Sequence, residues 1–286
     1  MLSMNRLSTT ERAKIIRLLV EGNSLRSTSR ITGRSINTVS KLLVDIGIAC
    51  SEFQDRTIRN LTSRRMECDE IWAFCYARAK NVPQQHRGDW GYGDVWTWTA
   101  IDPDTKLIAS WLVGWRGEEE AIDFLTDLAS RLTNRIQLTT DGHVAYVGAV
   151  ERAFGTNVDY AQLIKQYGVE QFEDASPTAR RYSPNKVTSQ EVRIMTGDPD
   201  PDLISTSYVE RNNLSMRMSM RRFTRLTNAF SKKVESHAAA IALYTTWQNF
   251  GRTQKALANP YPRTPAMAAG IADHVWTCEE IAALLD

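Results

Sequence analysis

The sequence is poor in cysteine and histidine, and their spacing argues against structural metal sites. It has four of each in 286 residues, with no Cys-x-x-Cys pair and with the histidines scattered along the chain. Zinc domains and disulfide frameworks depend on close or dense spacing of such residues. We therefore expect no zinc and no disulfide, and interpret the cysteines as small buried apolar residues. They are Cys50, Cys68, Cys75 and Cys278.

Long apolar runs are also missing. No stretch approaches the length needed to span a bilayer, and the N-terminus lacks the apolar segment of a signal peptide. We therefore expect a cytoplasmic protein with no membrane partner. An apolar fraction of 42% is typical of a packed globular chain. A length of 286 residues is enough for one large domain and a small one.

Charge is unevenly distributed, although the net charge is only +2. Residues 1–65 contain twelve Lys/Arg against five Asp/Glu, and residues 211–234 contain seven Lys/Arg and no acid. Basic blocks of this kind are typical of nucleic-acid binding, whereas a single block is more often a solvated surface. Two blocks, each beside another informative pattern, favour DNA as a partner.

The first 48 residues predict three short helices arranged as a helix-turn-helix domain. Ser8-Thr-Thr-Glu11 is a capping-box sequence, while Ser24 and Ser35 can each cap a following helix. Gly33 can adopt the positive φ of the tight turn. Polar residues at the start of the third helix are candidates for contacts with bases and phosphates, the alternative being plain helix packing. These candidates are Ser35, Asn37, Thr38, Ser40 and Lys41.

From residue 66 the periodicity changes to that of an α/β domain. Two or three hairpin-linked strands are followed by helix, strand, helix and strand, which predicts a mixed sheet with helices on its faces. Residues 49–65 are predicted as a linker or connecting helix, and 66–250 as the catalytic domain. Within it, the Pro-rich residues 171–206 are predicted as an irregular insertion. Residues 251–286 are predicted as a tail with short helices.

Three acidic residues in separate apolar settings suggest a metal site. Asp69 lies within a predicted strand, Asp141 at the carboxyl end of another, and Glu210 on a helix. Carboxylates from rigid elements can hold two Mg²⁺ ions, which suits phosphoryl transfer. Arg217 shares the helix face of Glu210 and could reach a phosphate. Strand alternation places Glu70 on the opposite face from Asp69, so we exclude it from the predicted site.

Each acid taken alone has a structural alternative. Asp141 precedes a glycine and could form a turn, and Glu210 could stabilise a helix N-terminus. The metal-site interpretation rests on all three occurring in order on strand, strand and helix.

Several long motifs resemble bacterial insertion-sequence transposases of the family named after the first insertion sequence described. The similarity runs from the helix-turn-helix through Cys68-Asp-Glu-Ile-Trp-Ala-Phe, Gly93-Asp-Val-Trp-Thr-Trp and Leu138-Thr-Thr-Asp-Gly-His. It continues in the most specific segment, which begins Ser207-Tyr-Val-Glu-Arg-Asn-Asn and ends at Lys233. It covers most of the chain.

The resemblance implies a ribonuclease-H-like catalytic core with an Asp, Asp, Glu triad and two Mg²⁺ ions, for which Mn²⁺ would substitute. Asp69, Asp141 and Glu210 match the triad, and Arg217 matches the basic residue beyond the glutamate. It also implies double-stranded DNA as partner, cleavage at terminal inverted repeats, strand transfer, and at least a dimer in the synaptic complex. Candidate DNA contacts in the second basic block are Arg211, Arg221, Arg222, Arg225, Lys232 and Lys233.

Three other functions remain open from the sequence. The first is a DNA-binding regulator on the same scaffold that no longer cuts, although all three carboxylates are present. The second is a ribonuclease or repair nuclease, which the N-terminal helix-turn-helix disfavours. The third is a zinc-dependent hydrolase, which the scattered histidines disfavour; His143, two residues from Asp141, is the nearest candidate ligand.

Overall fold

A six-stranded mixed sheet lies at the centre of the computed structural model, which describes residues 7–168, 186–223 and 229–286. The strand order is β3-β2-β1-β4-β5-β6, with β1, β4 and β5 parallel to one another and the remaining pairs antiparallel. The strands are β1 (Arg65–Cys75), β2 (Gly93–Ile101), β3 (Ile108–Gly114), β4 (Ile136–Thr140), β5 (Val158–Gly168) and β6 (Lys186–Thr196).

The predicted mixed α/β class is confirmed. The antiparallel β1-β2-β3 meander and the short buried strand β4 follow the alternation and apolar runs in the sequence. The strand order is consistent with the ribonuclease-H-like arrangement that the resemblance implies.

Helices cover both faces of this sheet. On one face, α4 (Glu118–Arg131) and α5 (Ala145–Phe154) bury a cluster that includes Trp98 and Phe124. The other face carries α6 (Ser207–Ser219) and α7 (Val234–Thr246), whose apolar side chains pack on Ile71 of β1. Each face therefore has its own apolar core, which fixes the strands that carry the candidate site.

The N-terminal helices are α1 (Thr9–Val20), α2 (Leu25–Thr32) and α3 (Ile36–Thr57). The predicted caps are confirmed: Ser8 forms a capping box with Glu11, and the hydroxyls of Ser24 and Ser35 accept backbone N–H groups. Gly33 ends α2 with φ of 69°.

The third helix is longer than predicted. It does not end near residue 48 but continues to Thr57, so the connecting-helix alternative for residues 49–65 holds over its first nine positions. Its second half is buried against α7, where the Gln54 side chain donates to the Ala242 carbonyl at 3.1 Å and the Thr246 hydroxyl at 2.9 Å. Because α3 spans both segments, a flexible linker directly after residue 48 is ruled out.

The predicted irregular insertion also needs correction. Lys186–Thr196 forms the edge strand β6, paired antiparallel with β5 with two register shifts. Both faces of β6 are exposed, so the strand lacks the alternating apolar pattern by which half-buried strands are recognised. Residues 171–185 of the insertion lie outside the described residues.

The C-terminal segment contains the two short helices that were predicted, α8 (Pro265–Ala268) and α9 (Cys278–Ala283). Helix α9 packs on α1 and α3, and the Arg12 guanidinium pairs with Asp286 at 2.7 Å. The four cysteines are free and buried, as expected. In the described part of the chain, every helix is too short or too polar to cross a membrane.

Candidate active site

Two parallel strands bring Asp69 and Asp141 together. Cys68 of β1 pairs with Thr140 of β4, the last residue of that strand. The next residue along each strand is an aspartate, so the two carboxylates lie side by side where β4 ends. The position of Asp141 at the carboxyl end of a parallel strand is the usual site location in open α/β sheets.

Hydrogen bonds orient both aspartates. Asp69 Oδ1 accepts the Glu70 backbone N–H at 2.8 Å, and Oδ2 accepts the Asn213 side-chain amide of α6 at 2.8 Å. Asp141 Oδ1 accepts the His143 backbone N–H at 2.9 Å. These bonds fix the side chains in an orientation ready to bind a ligand.

Glu70, which strand alternation excluded from the predicted site, lies beside the two aspartates. Its carboxylate lies with those of Asp69 and Asp141, with candidate ligand oxygens of all three within 4.8 Å of one another. Alternation does send its Cβ to the other face, but β4 ends level with Cys68, leaving no strand beside Glu70 on that side. The long side chain therefore reaches the carboxylates around the end of β4.

Burial and crowding perturb these acids. Burial, then the charge of Asp141, raises the pKa of Asp69 to about 6. The same two causes raise the pKa of Glu70 to about 8, against the opposing effect of Arg116. Like charges in a desolvated site disfavour full ionisation, which a bound cation would reverse.

Glu210 lines the same cleft but makes different contacts. Its Oε1 forms an ion pair with Lys165 of β5 and accepts the Thr206 hydroxyl at 2.7 Å. It stands outside the group formed by Asp69, Glu70 and Asp141. The predicted triad members thus share one cleft, in which the two aspartates are adjacent and Glu210 is held by a lysine.

The cleft has a volume of about 690 Å³ and is lined by basic as well as acidic side chains. Arg217 lines it, as the helix spacing from Glu210 predicts. Arg116 lies 3.4 Å from Glu70 and 3.8 Å from Asp141, with its guanidinium over the Trp96 ring. His143 is 3.6 Å from Glu70, and burial, then Arg116, lowers its pKa.

Arg116 and Lys165 were not identified from the sequence. Arg116 follows β3 in a Trp-Arg-Gly loop, and Lys165 interrupts the apolar run of β5, which is the kind of signal that could mark an inward charge. Asn213 was not identified either, although it lies three residues after Glu210 on α6 and donates to Asp69.

The candidate DNA-contact residues of the N-terminal domain lie together at the start of α3. Ser35, Asn37 and Lys41 are exposed, whereas Thr38 and Ser40 are half-buried. Lys41 pairs with Asp45 one turn along. They are placed where a ligand could reach them.

In the second basic block, Arg211, Arg221, Lys232 and Lys233 are exposed. The prediction of Arg222 as a DNA contact needs correction. Its guanidinium turns inward to donate to Ser231 at 2.7 Å, and burial lowers its pKa to about 10. Because α6 ends at Ser219, Arg221 lies beyond the helix that carries Glu210 and Arg217. Arg225 lies outside the described residues.

The donor set fits a hard divalent cation. All three clustered groups are carboxylates, the oxygen ligands that Mg²⁺ and Mn²⁺ prefer. Glu70 Oε2 is buried and, among the described residues, has no hydrogen-bond partner. A buried carboxylate oxygen without a donor is costly, and a cation in the cleft would satisfy it.

Comparisons with known proteins give limited information. No family model and no curated protein matches the sequence. Among solved structures, the chain is similar to the Mos1 transposase paired-end complex with the left transposon end, at 11% identity and a TM-score of 0.27, covering 87% of this chain and 80% of that one. It is also similar to the Mos1 strand transfer complex, at 12% identity and a TM-score of 0.25, covering 85% and 78%. Such scores do not establish a shared fold, so the fold assignment rests on the sheet itself.

Proposed function

We propose that the protein is a DNA transposase that binds the terminal inverted repeats of an insertion sequence and catalyses divalent-metal-dependent strand cleavage and strand transfer. The observation that carries this proposal is the convergence of Asp69, Glu70 and Asp141 in a cleft that also holds Glu210 and Arg217. The motifs that resemble insertion-sequence transposases agree with it.

The chemistry would be two successive phosphoryl transfers at this cleft. Water would attack a phosphodiester at the element end and break its P–O3′ bond, leaving a 3′-hydroxyl and a 5′-phosphate. That hydroxyl would then attack a phosphate of the target and displace the 3′-oxygen of the target strand, which leaves as a 3′-hydroxyl. Divalent cations held by Asp69, Asp141 and Glu70 would polarise the phosphate and lower the pKa of the attacking water.

The other residues of the cleft would orient the carboxylates and balance the negative charge of the phosphate. Asn213 orients Asp69 through its 2.8 Å hydrogen bond. Arg116 and Arg217 line the cleft and would balance the charge of the phosphate. Glu210 now pairs with Lys165, and it would contribute to the metal site if a bound cation replaced that lysine as its partner.

DNA binding would rest on the basic surfaces outside the cleft. The start of α3, with Asn37 and Lys41 exposed, would contact base edges and phosphates of the repeat. Exposed Arg211, Arg221, Lys232 and Lys233 would contact the backbone. At least two copies would be needed to hold two ends.

The alternative is a catalytically silent DNA-binding regulator. The ion pair between Glu210 and Lys165 favours it, because it occupies one carboxylate of the predicted triad. The two functions differ in whether bound DNA is cut.

Cleavage and strand transfer on a labelled duplex carrying the inverted repeats that flank the gene separate the two functions. With Mg²⁺ or Mn²⁺, the transposase proposal expects nicking by the native protein, and loss of nicking with retained binding in Asp141→Ala. Specific binding without cleavage by the native protein under both metals would assign the chain to the regulator.

A further inference from the structure

The edge strand β6 is unusual because it exposes several apolar side chains to solvent. Val192 and Ile194, on the same face, are 49% and 60% exposed, and Val187 and Met195 are also exposed. Within the described residues, β6 pairs with β5 alone, so its outer edge presents backbone N–H and C=O groups. A long exposed edge of this kind is a template for pairing with another strand.

We propose that β6 is a dimer interface, in which the β6 strands of two copies pair antiparallel about a two-fold axis at Val192. The sheet would then continue from one protomer into its partner. An isologous contact of this type places the same patch on both copies, so the strand must be complementary to itself.

The charges of β6 meet that requirement at one register. Pairing about Val192 places Glu191 opposite Arg193 of the other copy, and Arg193 opposite Glu191. In the isolated chain these two residues pair with each other at 2.6 Å. Moving the axis to residue 191 or 193 would instead set two glutamates or two arginines face to face, which is destabilising.

The apolar residues agree with the same register. Val192 would lie opposite Val192, and Ile194 of each copy would be its diagonal neighbour on the same face. Four exposed aliphatic side chains would then cover one another at the centre of the contact. The one register that pairs opposite charges is therefore also the one that groups these apolar residues.

Geometry links this interface to the cleft. A two-fold axis relating antiparallel edge strands is perpendicular to the sheet, so both copies of α6 would lie on the same side of the joined sheet. If the chain is a transposase, two DNA ends would be presented to the same side; this consequence alone rests on the proposed function.

Sedimentation equilibrium of the full chain without DNA tests the interface. We expect a concentration-dependent dimer for the native protein, and a monomer for Ile194→Asp. Glu191→Arg and Arg193→Glu should each raise the dimer dissociation constant by about tenfold, because each sets like charges opposite one another at both ends of the contact. The double variant should restore dimerisation, since the exchanged charges again pair across the axis.

The control is Ile48→Asp, which changes an apolar residue that is 54% exposed on α3, away from β6. It should leave the dimer unchanged, and circular dichroism should show native folding in every variant. A native protein that stays monomeric, a dimer that survives Ile194→Asp, or a double variant that dimerises no better than the single ones would overturn the proposal. A native protein that is monomeric without DNA, and that loses DNA binding in Ile194→Asp, would assign β6 to DNA instead.

Nicking of single DNA ends keeps this proposal separate from the proposed function. A monomeric Ile194→Asp protein that still nicks supports both. A dimer that follows the charge pattern but never cuts supports the interface and counts against the transposase.

Discussion

At the residue scale, Glu70 is the most informative side chain. Its side chain is 1% exposed, and it lies among acids and the basic groups of Arg116 and His143. Burying a carboxylate beside two others is costly without a cation. We therefore expect Glu70 to destabilise the metal-free protein and to favour binding of a divalent ion.

Glu70→Gln should separate metal binding from folding. The variant keeps the shape of the side chain but loses its charge, so we expect the affinity for Mn²⁺ to fall about tenfold or more, with metal-free stability unchanged or raised. Isothermal titration and thermal unfolding measure the two quantities. Glu119→Gln, at an exposed acid in the first turn of α4, is the matched control. Unchanged metal affinity in Glu70→Gln would remove Glu70 from the site.

His237 should make stability depend on pH. Burial, then the charge of Arg222, lowers its pKa to about 3, so it stays neutral in the folded protein. Below the usual histidine pKa of 6.5, the unfolded chain takes up a proton that the folded chain does not. Its contribution is therefore fully present above pH 6.5 and is lost as pH falls toward 3, by about 1.4 kcal/mol per unit.

Urea unfolding of the native protein and His237→Asn at pH 7.5 and 5.5 measures this effect. The free energy of unfolding should fall less in the variant, by about 1 kcal/mol. Asparagine keeps a polar group near the Ser231 hydroxyl, which lies 3.1 Å from Nδ1 of His237. Equal losses in both proteins would show that His237 does not titrate as described.

The residues of the cleft differ in how far the sequence could reveal them. Local rules point to three of them: Asp69 is an acid inside an apolar strand, Asp141 lies at the end of a strand, and Arg217 has helix spacing from Glu210. They do not point to Glu70, because the alternation rule takes no account of a neighbouring strand that stops. The contact of Lys165 with Glu210 joins residues 45 positions apart, and only the folded sheet brings them together.

At the element scale, the crossing of α3 and α7 joins the N-terminal helices to the rest of the chain. The two helices approach so closely at Gly47 that an ideal Cβ there would lie 2.4 Å from the Cα of Ala239. Only glycine fits without a shift of the backbone. The crossing therefore depends on Gly47, and the sequence around this residue gives no sign of the close contact.

Gly47→Ala should destabilise the protein by about 1–3 kcal/mol, because overpacking moves one helix from the other. Gly148→Ala in α5 is the matched control: the nearest atom to its Cβ would be a Glu118 side-chain oxygen at 3.7 Å. That change should be neutral or stabilise by about 0.5–1 kcal/mol, since alanine favours the helix. Chemical unfolding measures the free energy of unfolding of both variants. Equal changes in the two variants would contradict the close crossing.

Part of the α/β order was predictable from the sequence. Strand β4 is the predicted strand that ends just before Asp141, and α4 is the predicted helix that follows the hairpin-linked strands. Strand β6 was missed because solvent lies on both of its faces. The end of α3 was missed because its second half is buried by α7, a partner nearly two hundred residues away.

At the scale of the whole molecule, exposure distinguishes an arginine proposed to contact DNA from a neighbouring arginine with a structural contact. Arg221 is exposed, whereas the neighbouring Arg222 turns inward to Ser231. Each phosphate contact releases counterions, so its loss lowers the salt dependence of binding. The two arginines should therefore behave differently although they are adjacent.

Fluorescence anisotropy with duplex DNA over a salt series tests this distinction. Arg221→Ala should reduce the slope of log affinity against log salt by about 0.9. Arg222→Ala should leave the slope unchanged and instead lower the unfolding temperature, because it removes the partly buried hydrogen bond to Ser231. The reverse pattern would restore Arg222 to the DNA surface and remove Arg221 from it.

Sulfur substitution at the scissile phosphate tests whether the carboxylate cleft cuts DNA with divalent metal. Replacing one non-bridging oxygen with sulfur weakens binding of the hard ion Mg²⁺, whereas Mn²⁺ tolerates sulfur better. We predict that one diastereomer is cut poorly with Mg²⁺ and regains cleavage with Mn²⁺, and that Asp141→Ala cuts neither. Equal cleavage of both diastereomers in Mg²⁺, or cleavage that persists in Asp141→Ala, would contradict the account.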